Sequence, residues 1–273
     1  MNARYLRALL GALALCMTAV GAVAAPQYAV IDLGSSTDPG AGLIWQKRVA
    51  QLAAQNWPPT QASCINGLSN WIYAWYGSVA VGTACEPDGT EHAAKWTIDV
   101  ATQTITLTDL GAPPNPESNA PGSASVYGFN KVGDFVGSAS YIWGTSQPCP
   151  CFAQHGFIYN NGVWTDLTPI AGAHYDSMAE AVNDSHEVVG QTNTLSSSND
   201  PAVLKRAFVY INGTMYNLTF FEMGGPTALL TDAYWIDCQG NIAAVGSPNS
   251  PNDNTVHNYL LVRQGPARTN CPK

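Results

Sequence analysis

The sequence predicts an all-β chain folded as a β-propeller of four blades, with the N-terminal strand completing the last blade. Three observations carry that expectation. One sequence unit recurs four times at a propeller-sized period, each unit holds four strand-like runs separated by turn residues, and the copies are cut out of phase with the chain ends.

The unit opens with a short strand ending in Asp-Leu: YAVIDLG (28 to 34), ITLTDLG (105 to 111) and VWTDLT (163 to 168), with MYNLTFF (215 to 221) as a variant. After a variable loop comes a hairpin whose second arm ends in Val-Gly: NWIYAWYGSVAVG (70 to 82), SVYGFNKVGDFVG (125 to 137), AEAVNDSHEVVG (179 to 190) and AYWIDCQGNIAAVG (233 to 246). A third strand follows as HAAKWTI, HGFIYNN, RAFVYIN and HNYLLVR. These begin at His92, His155, Arg206 and His257, so the spacing is 63, 51 and 51 residues. β-Branched and aromatic runs bounded by Gly, Asn, Asp and Pro, with almost no helical periodicity, make four antiparallel strands per unit.

Turn chemistry supports the hairpins. Asn130 with Gly133 and Asp237 with Gly240 put an Asx residue at the start of the turn and Gly where φ must be positive. Unit three has His186 at the Gly position, a side chain that tolerates the left-handed region better than most. Unit one has Ala74 where the others have Asn or Asp. Gly82, Gly137, Gly190 and Gly246, closing each second arm, predict close backbone approach.

The chain starts with a lone Asp-Leu strand and ends after a third strand. If Ala29 to Leu33 supplies the outer strand of the blade that ends at Tyr259 to Val262, the seam has no unpaired edge. The expected organisation is a leader over 1–25 and one repeat domain over 26–273. Its units lie at about 35–111, 112–168, 169–221 and 222–263, with 28–34 completing the last. The alternative is an open stack or a half-propeller completed by a second chain.

The recurring residues resemble the bacterial extracellular HAF-repeat family. Its loose pattern is His-Ala-Phe-x-Trp, then Asp-Leu-Gly, then Ala-x-x-Ile-Asn-x-x-Gly-x-Val-Val-Gly. HGFIYNNGVWTDL (155 to 167) with AEAVNDSHEVVG (179 to 190) match best, and unit one is interrupted between Gly34 and Gly77. The resemblance implies an exported, propeller-like repeat protein and brings no activity with it.

Export is also expected from the N-terminus. Arg4 and Arg7 flank an apolar run that closes on Ala22-Val23-Ala24, the pattern of a cleavable signal peptide, and the run is too short to be preferred as an anchor. Removing it moves the formal charge from −8 to −10. Such an acidic chain argues against nucleic acid and anionic lipid as partners. Cys64, Cys85, Cys149, Cys151, Cys238 and Cys271 remain, an even set in an exported chain, so disulfides are expected. Short loop closure favours Cys64 with Cys85, and tethering of the tail favours Cys238 with Cys271. Cys149 and Cys151 are then left to each other.

The candidate ligand-binding residues are Trp57, Trp71, Tyr73, Trp75 and Tyr76, in or beside the insertion of unit one. Clustered aromatics can stack on sugars or anchor a protein partner, and can equally form a satellite cluster that closes one end of the ring. No metal or cofactor is expected. Cys149-x-Cys151 with His155 has metal-donor types, but His155 occupies a repeat position shared with His92 and His257. Asp32, Asp109 and Asp166 lack a dense acidic loop, so turn capping is the better reading. Asn212-Gly-Thr and Asn217-Leu-Thr are glycosylation sequons.

No reaction-specific motif is present. His174, Tyr175, Asp176, Glu180, Asp184 and Glu187 concentrate acid and base groups in unit three, and a converging carboxylate pair would suit glycoside cleavage. The expected role is binding of a protein partner or an extracellular glycan by a secreted or periplasmic protein. A glycan-acting hydrolase or lyase is the alternative, and a purely structural surface module is a third reading.

Overall fold

A computed structural model of the protein describes residues 26–35, 71–86, 90–99, 101–102, 104–114, 122–143, 151–195, 203–221, 228–248, 255–266, 268–269 and 271. The leader, Trp57 and Cys64 lie outside the described residues, as do Cys149 and the side chain of Cys151.

The fold is a four-bladed, all-β propeller-like arrangement of antiparallel sheets. The N-terminal strand β1 (Tyr28–Ser35) is followed by blade I, made of β2 (Trp71–Tyr76), β3 (Val79–Cys85), β4 (Glu91–Asp99) and β5 (Thr104–Gly111). Blade II contains β6 (Ala124–Phe129), β7 (Phe135–Trp143), β8 (Cys151–Asn160) and β9 (Val163–Leu167). Blade III contains β10 (Ser177–Val182), β11 (Val188–Leu195), β12 (Val203–Ile211) and β13 (Thr214–Asn217), after which Leu218–Phe220 form a 3-10 turn capped by the Asn217 side chain. Blade IV is β14 (Ala228–Ile236), β15 (Ile242–Pro248) and β16 (His257–Arg263), and its outer strand is β1, in the order β14-β15-β16-β1.

The seam is therefore closed as the phase of the repeats requires. Tyr28 pairs with Arg263, Ala29 with Val262, Val30 with Leu261 and Ile31 with Leu260. The Tyr28 amide also donates to the Phe221 carbonyl at 3.0 Å, tying the first strand to blade III as well. Cys238 and Cys271 form a disulfide that holds the C-terminal tail to the β14–β15 turn, and Cys85 is also disulfide-bonded.

The core lies between blades. Val81 and Ala93 of blade I pack on Val126, Ala139 and Phe157 of blade II. Val136 and Leu167 of blade II pack on Ala179, Val188 and Phe208 of blade III. Val189, Val209 and Leu218 of blade III pack on Tyr28, Leu230, Ile242 and Leu261 of blade IV. Alternation along each strand sends successive residues to opposite faces, so Val188 and Phe208 meet blade II while Val189 and Val209 meet blade IV, and removing them from water supplies most of the favourable term at roughly 25 cal/mol per Å². Among the described strands the extensive interblade packing runs I to II, II to III and III to IV. The two faces at the ends of that series differ. Trp96 on blade I is buried with Ala80, Ala94 and Ile98, whereas Ile31 and Trp235 on blade IV are exposed.

Register explains the two recurring motifs. The HAF-like triplet and the Asp-Leu strand are adjacent, with Ala94 opposite Asp109, Phe157 opposite Asp166 and Tyr259 opposite Asp32. The first residue of each triplet then meets the Asp side chain: Nδ1 of His92, His155 and His257 lies 3.1, 2.9 and 2.7 Å from a carboxylate oxygen of Asp109, Asp166 and Asp32. Blade III replaces both partners, with Arg206 and Asn217, and Asn217 caps the 3-10 turn instead. Local turn bonds to these carboxylates exist, such as Gly111 N to Asp109 Oδ1 at 2.7 Å, but a cross-strand histidine is the partner common to blades I, II and IV.

The closing glycines answer to a β-bulge. Register slips once between Ile72 and Ala74, Val126 and Gly128, Ala179 and Ala181, and Leu230 and Asp232, and the residue just before each slip faces Gly82, Gly137, Gly190 or Gly246. A Cβ on any of these glycines would collide with the backbone carbonyl of Trp71, Ser125, Met178 or Leu229. At the other end of the hairpins Gly133, His186 and Gly240 have φ of 94°, 62° and 84°, so His186 does stand in the left-handed position. Blade I is built differently: Ala74 pairs with Val81 inside the strand, and Gly77-Ser78 alone make the turn.

Candidate functional site

The four bulges place one extra residue on each inner strand at the same depth of the repeat: Tyr73, Tyr127, Glu180 and Thr231, the last followed by Asp232. Neighbouring members interact. The Tyr73 and Tyr127 rings meet edge to face with centroids 4.9 Å apart. Tyr127 donates to or accepts from Ser138 Oγ at 3.1 Å, and Thr83 Oγ1 donates to Ser125 Oγ at 2.7 Å. Burial pushes both tyrosine hydroxyls above their ordinary pKa.

Glu180 and Asp232 are partly buried carboxyls on the inner strands of blades III and IV. Burial, reinforced by the charge of Asp232 and opposed by Lys205, pushes Glu180 up to about 7. Burial also raises Asp232, against the pull of Lys205, and its Oδ1 has no hydrogen-bond partner among the described residues. A group held near neutrality beside a second carboxylate is the electronic arrangement of an acid and base pair. Glu180 stood among the candidate acids of the sequence and Asp232 did not. The matching signal was the bulge position of the repeat, which a second register slip between Ala233 and Trp235 obscures in blade IV.

The predicted aromatic residues separate into two groups. Trp71, Trp75 and Tyr76 on β2 are 55 %, 43 % and 65 % exposed, whereas Tyr73 turns inward to Tyr127. The Trp75 indole is oriented by its own donation to the Gly77 carbonyl at 2.7 Å, and Lys131 of blade II lies 5.7 Å from the Tyr76 ring centroid. Trp57 falls outside the described residues.

The remaining acids of unit three hold the hub together. In blades II to IV the turn residue carbonyls and side chains relay from one blade to the next: Asn130 Nδ2 donates to Asn183 O at 2.8 Å, and Asn183 Nδ2 donates to Asp237 O at 2.9 Å. Each turn is also closed internally, since Asn130 and Asn183 accept the amides of Asp134 and Glu187 at 2.9 and 3.0 Å. His186 Nδ1 reaches back to Asp134 at 2.6 Å, and Lys131 N donates to Asp184 at 3.1 Å. Asp176 accepts from Gln154 N at 2.9 Å, which bridges blades II and III.

Glu187 contrasts with Glu180. It is buried, which alone would raise its pKa, but hydrogen bonds from Arg268, Arg263 and Asn183 more than offset that and hold it below the usual carboxylate value. Both guanidinium groups bond its Oε1. These groups line a cavity of about 500 Å³ together with Ser185, Asn212, Thr214 and Tyr216.

Among the described residues Glu86, His92 and Asp109 are the one set of three donors whose ligand atoms lie within 4.8 Å of one another. Two of the three are the His–Asp pair that also recurs in blades II and IV, which favours a structural role for them. Of the two sequons, Asn217 is buried and caps a turn, whereas Asn212 is exposed at φ 51°. No described helix is long and apolar enough to cross a membrane. Compared with known proteins, the chain matches no family model, and no curated protein is significantly similar to it.

Proposed function

We propose that this is an exported binding module of the HAF-repeat kind, secreted or periplasmic, which engages a protein partner or an extracellular glycan through the aromatic inner strand of blade I. The observation that carries the reading is the presentation of Trp71, Trp75 and Tyr76 together at the surface of β2. Exposed indoles and phenols supply large contact area at low conformational cost, and they suit both sugar faces and protein hot spots. The Cys238–Cys271 disulfide fits an oxidising compartment, as the leader-like N-terminus does.

The test compares the mature protein with a Trp71→Ala, Trp75→Ala double variant on a glycan array and in affinity capture from an envelope fraction. Binding by the mature protein that disappears in an equally stable variant supports the reading. Binding that survives the double substitution removes it.

A second reading, a glycan-acting hydrolase, rests on Glu180 and Asp232. In it Glu180 donates a proton to the leaving glycosidic oxygen while Asp232, ionised, acts on the opposite side of the sugar. Release of reducing ends from an extracellular polysaccharide, abolished by Glu180→Gln with the fold intact, is its expected signature. Undiminished release by Glu180→Gln would count against it.

A further inference from the structure

We infer that the cavity at the junction of blades III and IV is a second binding site, selective for a carboxylate-bearing sugar such as a uronate unit of an acidic oligosaccharide. The inference concerns a different part of the molecule from the aromatic strand and does not depend on that strand binding anything.

Charge is the first argument. The chain has 11 Lys and Arg against 19 Asp and Glu, yet Arg263 and Arg268 converge on this one cavity, where they share the single carboxylate of Glu187. Among the described lining residues, two guanidinium groups stand against one carboxylate and leave a net positive charge in an acidic protein. The side chains of both arginines keep about a quarter of their surface open, 26 % and 23 %, while Glu187 keeps 5 %. Glu187 thus acts as a buried positioning group that fixes the two forks, Arg268 Nη1 also donates to the Cys238 carbonyl at 3.1 Å, and both guanidinium groups line the cavity. Arginine forks bind carboxylates in this way with directional, charge-assisted bonds.

The second argument is the rest of the wall. Ser185, Asn212, Thr214 and Tyr216 bring hydroxyl, amide and ring surfaces to the same space beside the apolar Pro26 and Ile211, a mixture that matches a sugar ring, with its hydroxyl rim and C–H faces, better than a lipid chain. A volume of about 500 Å³ is within the range of small-ligand sites and has room for a sugar unit.

The site also occupies the seam, because Arg263 ends β16, Arg268 lies in the disulfide-held tail and Pro26 stands just before β1. Ligand binding there ties the first strand, the last strand and the tail together. Occupancy is therefore expected to raise the unfolding temperature.

The test is isothermal titration of the mature protein with oligogalacturonate, with the neutral galactose oligomer of equal length, with acetate and with an acidic Glu-rich peptide. Oligogalacturonate is expected to bind and to raise the Tm, and the neutral oligomer and acetate to bind at least roughly tenfold more weakly. Arg268→Gln, which leaves the Arg263–Glu187 pair, is expected to weaken oligogalacturonate binding roughly tenfold or more. Asn212→Gly removes the amide at a position that already has positive φ, and is expected to weaken binding without unfolding the protein. No binding of oligogalacturonate, equal binding of the neutral oligomer or of acetate, preference for the peptide, or unchanged binding in both folded variants would each overturn the proposal.

Discussion

Blade I and blades II to IV solve the same problem at the hub in different ways. In blades II to IV a five-residue turn begins with Asn130, Asn183 or Asp237, and at the two internal junctions an Asn side chain donates to the carbonyl of the next blade's first turn residue. Blade I has the two-residue turn Gly77-Ser78 instead and carries Trp75 and Tyr76 just before it. The first turn residues of blades II to IV are satisfied within the protein, whereas Trp75 and Tyr76, just before the turn of blade I, remain at the surface. The repeat thus builds the scaffold, and the copy that departs from it carries the proposed binding surface.

The largest expected effect lies in what the blades share. Gly190→Ala would drive a Cβ into the Met178 carbonyl, and Gly82→Ala would do the same to Trp71 in blade I. Each is expected to cost roughly 3 kcal/mol or more in chemical denaturation. A loss much smaller in blade I would show that its bulge is not the one seen in the other blades. Next is the relay. Asn183→Ala removes a donor to buried Glu187 and to Asp237 O, and an acceptor for two turn amides, so it is expected to cost roughly 2–4 kcal/mol. Tyr76→Ala, at the corresponding end of blade I, is expected to stay within about 0.5 kcal/mol.

The Cys238→Ser, Cys271→Ser double variant opens a link spanning 33 residues and is expected to lose about 3–4 kcal/mol by the loop-entropy relation. Glu180 and Glu187 then sharpen the contrast through pH. Glu180 is raised to about 7 from an ordinary value near 4.5, so the folded state holds its proton more tightly than the unfolded chain. Its contribution is fully present below the ordinary value and is lost as pH rises toward 7, by roughly 2–3 kcal/mol at most. Glu187 is lowered, so its contribution is present above its ordinary value and is lost as pH falls through the depressed one. Urea midpoints of Glu180→Gln across pH 2 to 8 should lose the fall toward neutrality and keep the acid limb.

Some of this was legible in the residues alone. The phase of the Asp-Leu strands pointed to Ala29 to Leu33 as the outer strand of the last blade, with an open stack or a half-propeller as the alternative, and β1 does pair with β16. The closing glycines announced a close approach, and the bulge supplies its cause. His92, His155 and His257 were visible as a series, but their partners were not, since a pairing with Asp109, Asp166 and Asp32 depends on strand register rather than on spacing. Asp232 was hidden by the extra slip in β14. Arg268 lies in a tail outside the repeat, so no pattern connected it to Glu187, which it reaches only because the disulfide and β1 bring the two chain ends together.

The aromatic strand is the point on which the functional account stands. The most direct measurement is partner binding by the Trp71→Ala, Trp75→Ala variant beside the unaltered mature protein, with unfolding temperatures recorded for both. The account predicts an unfolding temperature within a few degrees of the unaltered protein, as expected for surface substitutions, and loss of the glycan or protein ligand. Full binding by that variant would contradict it.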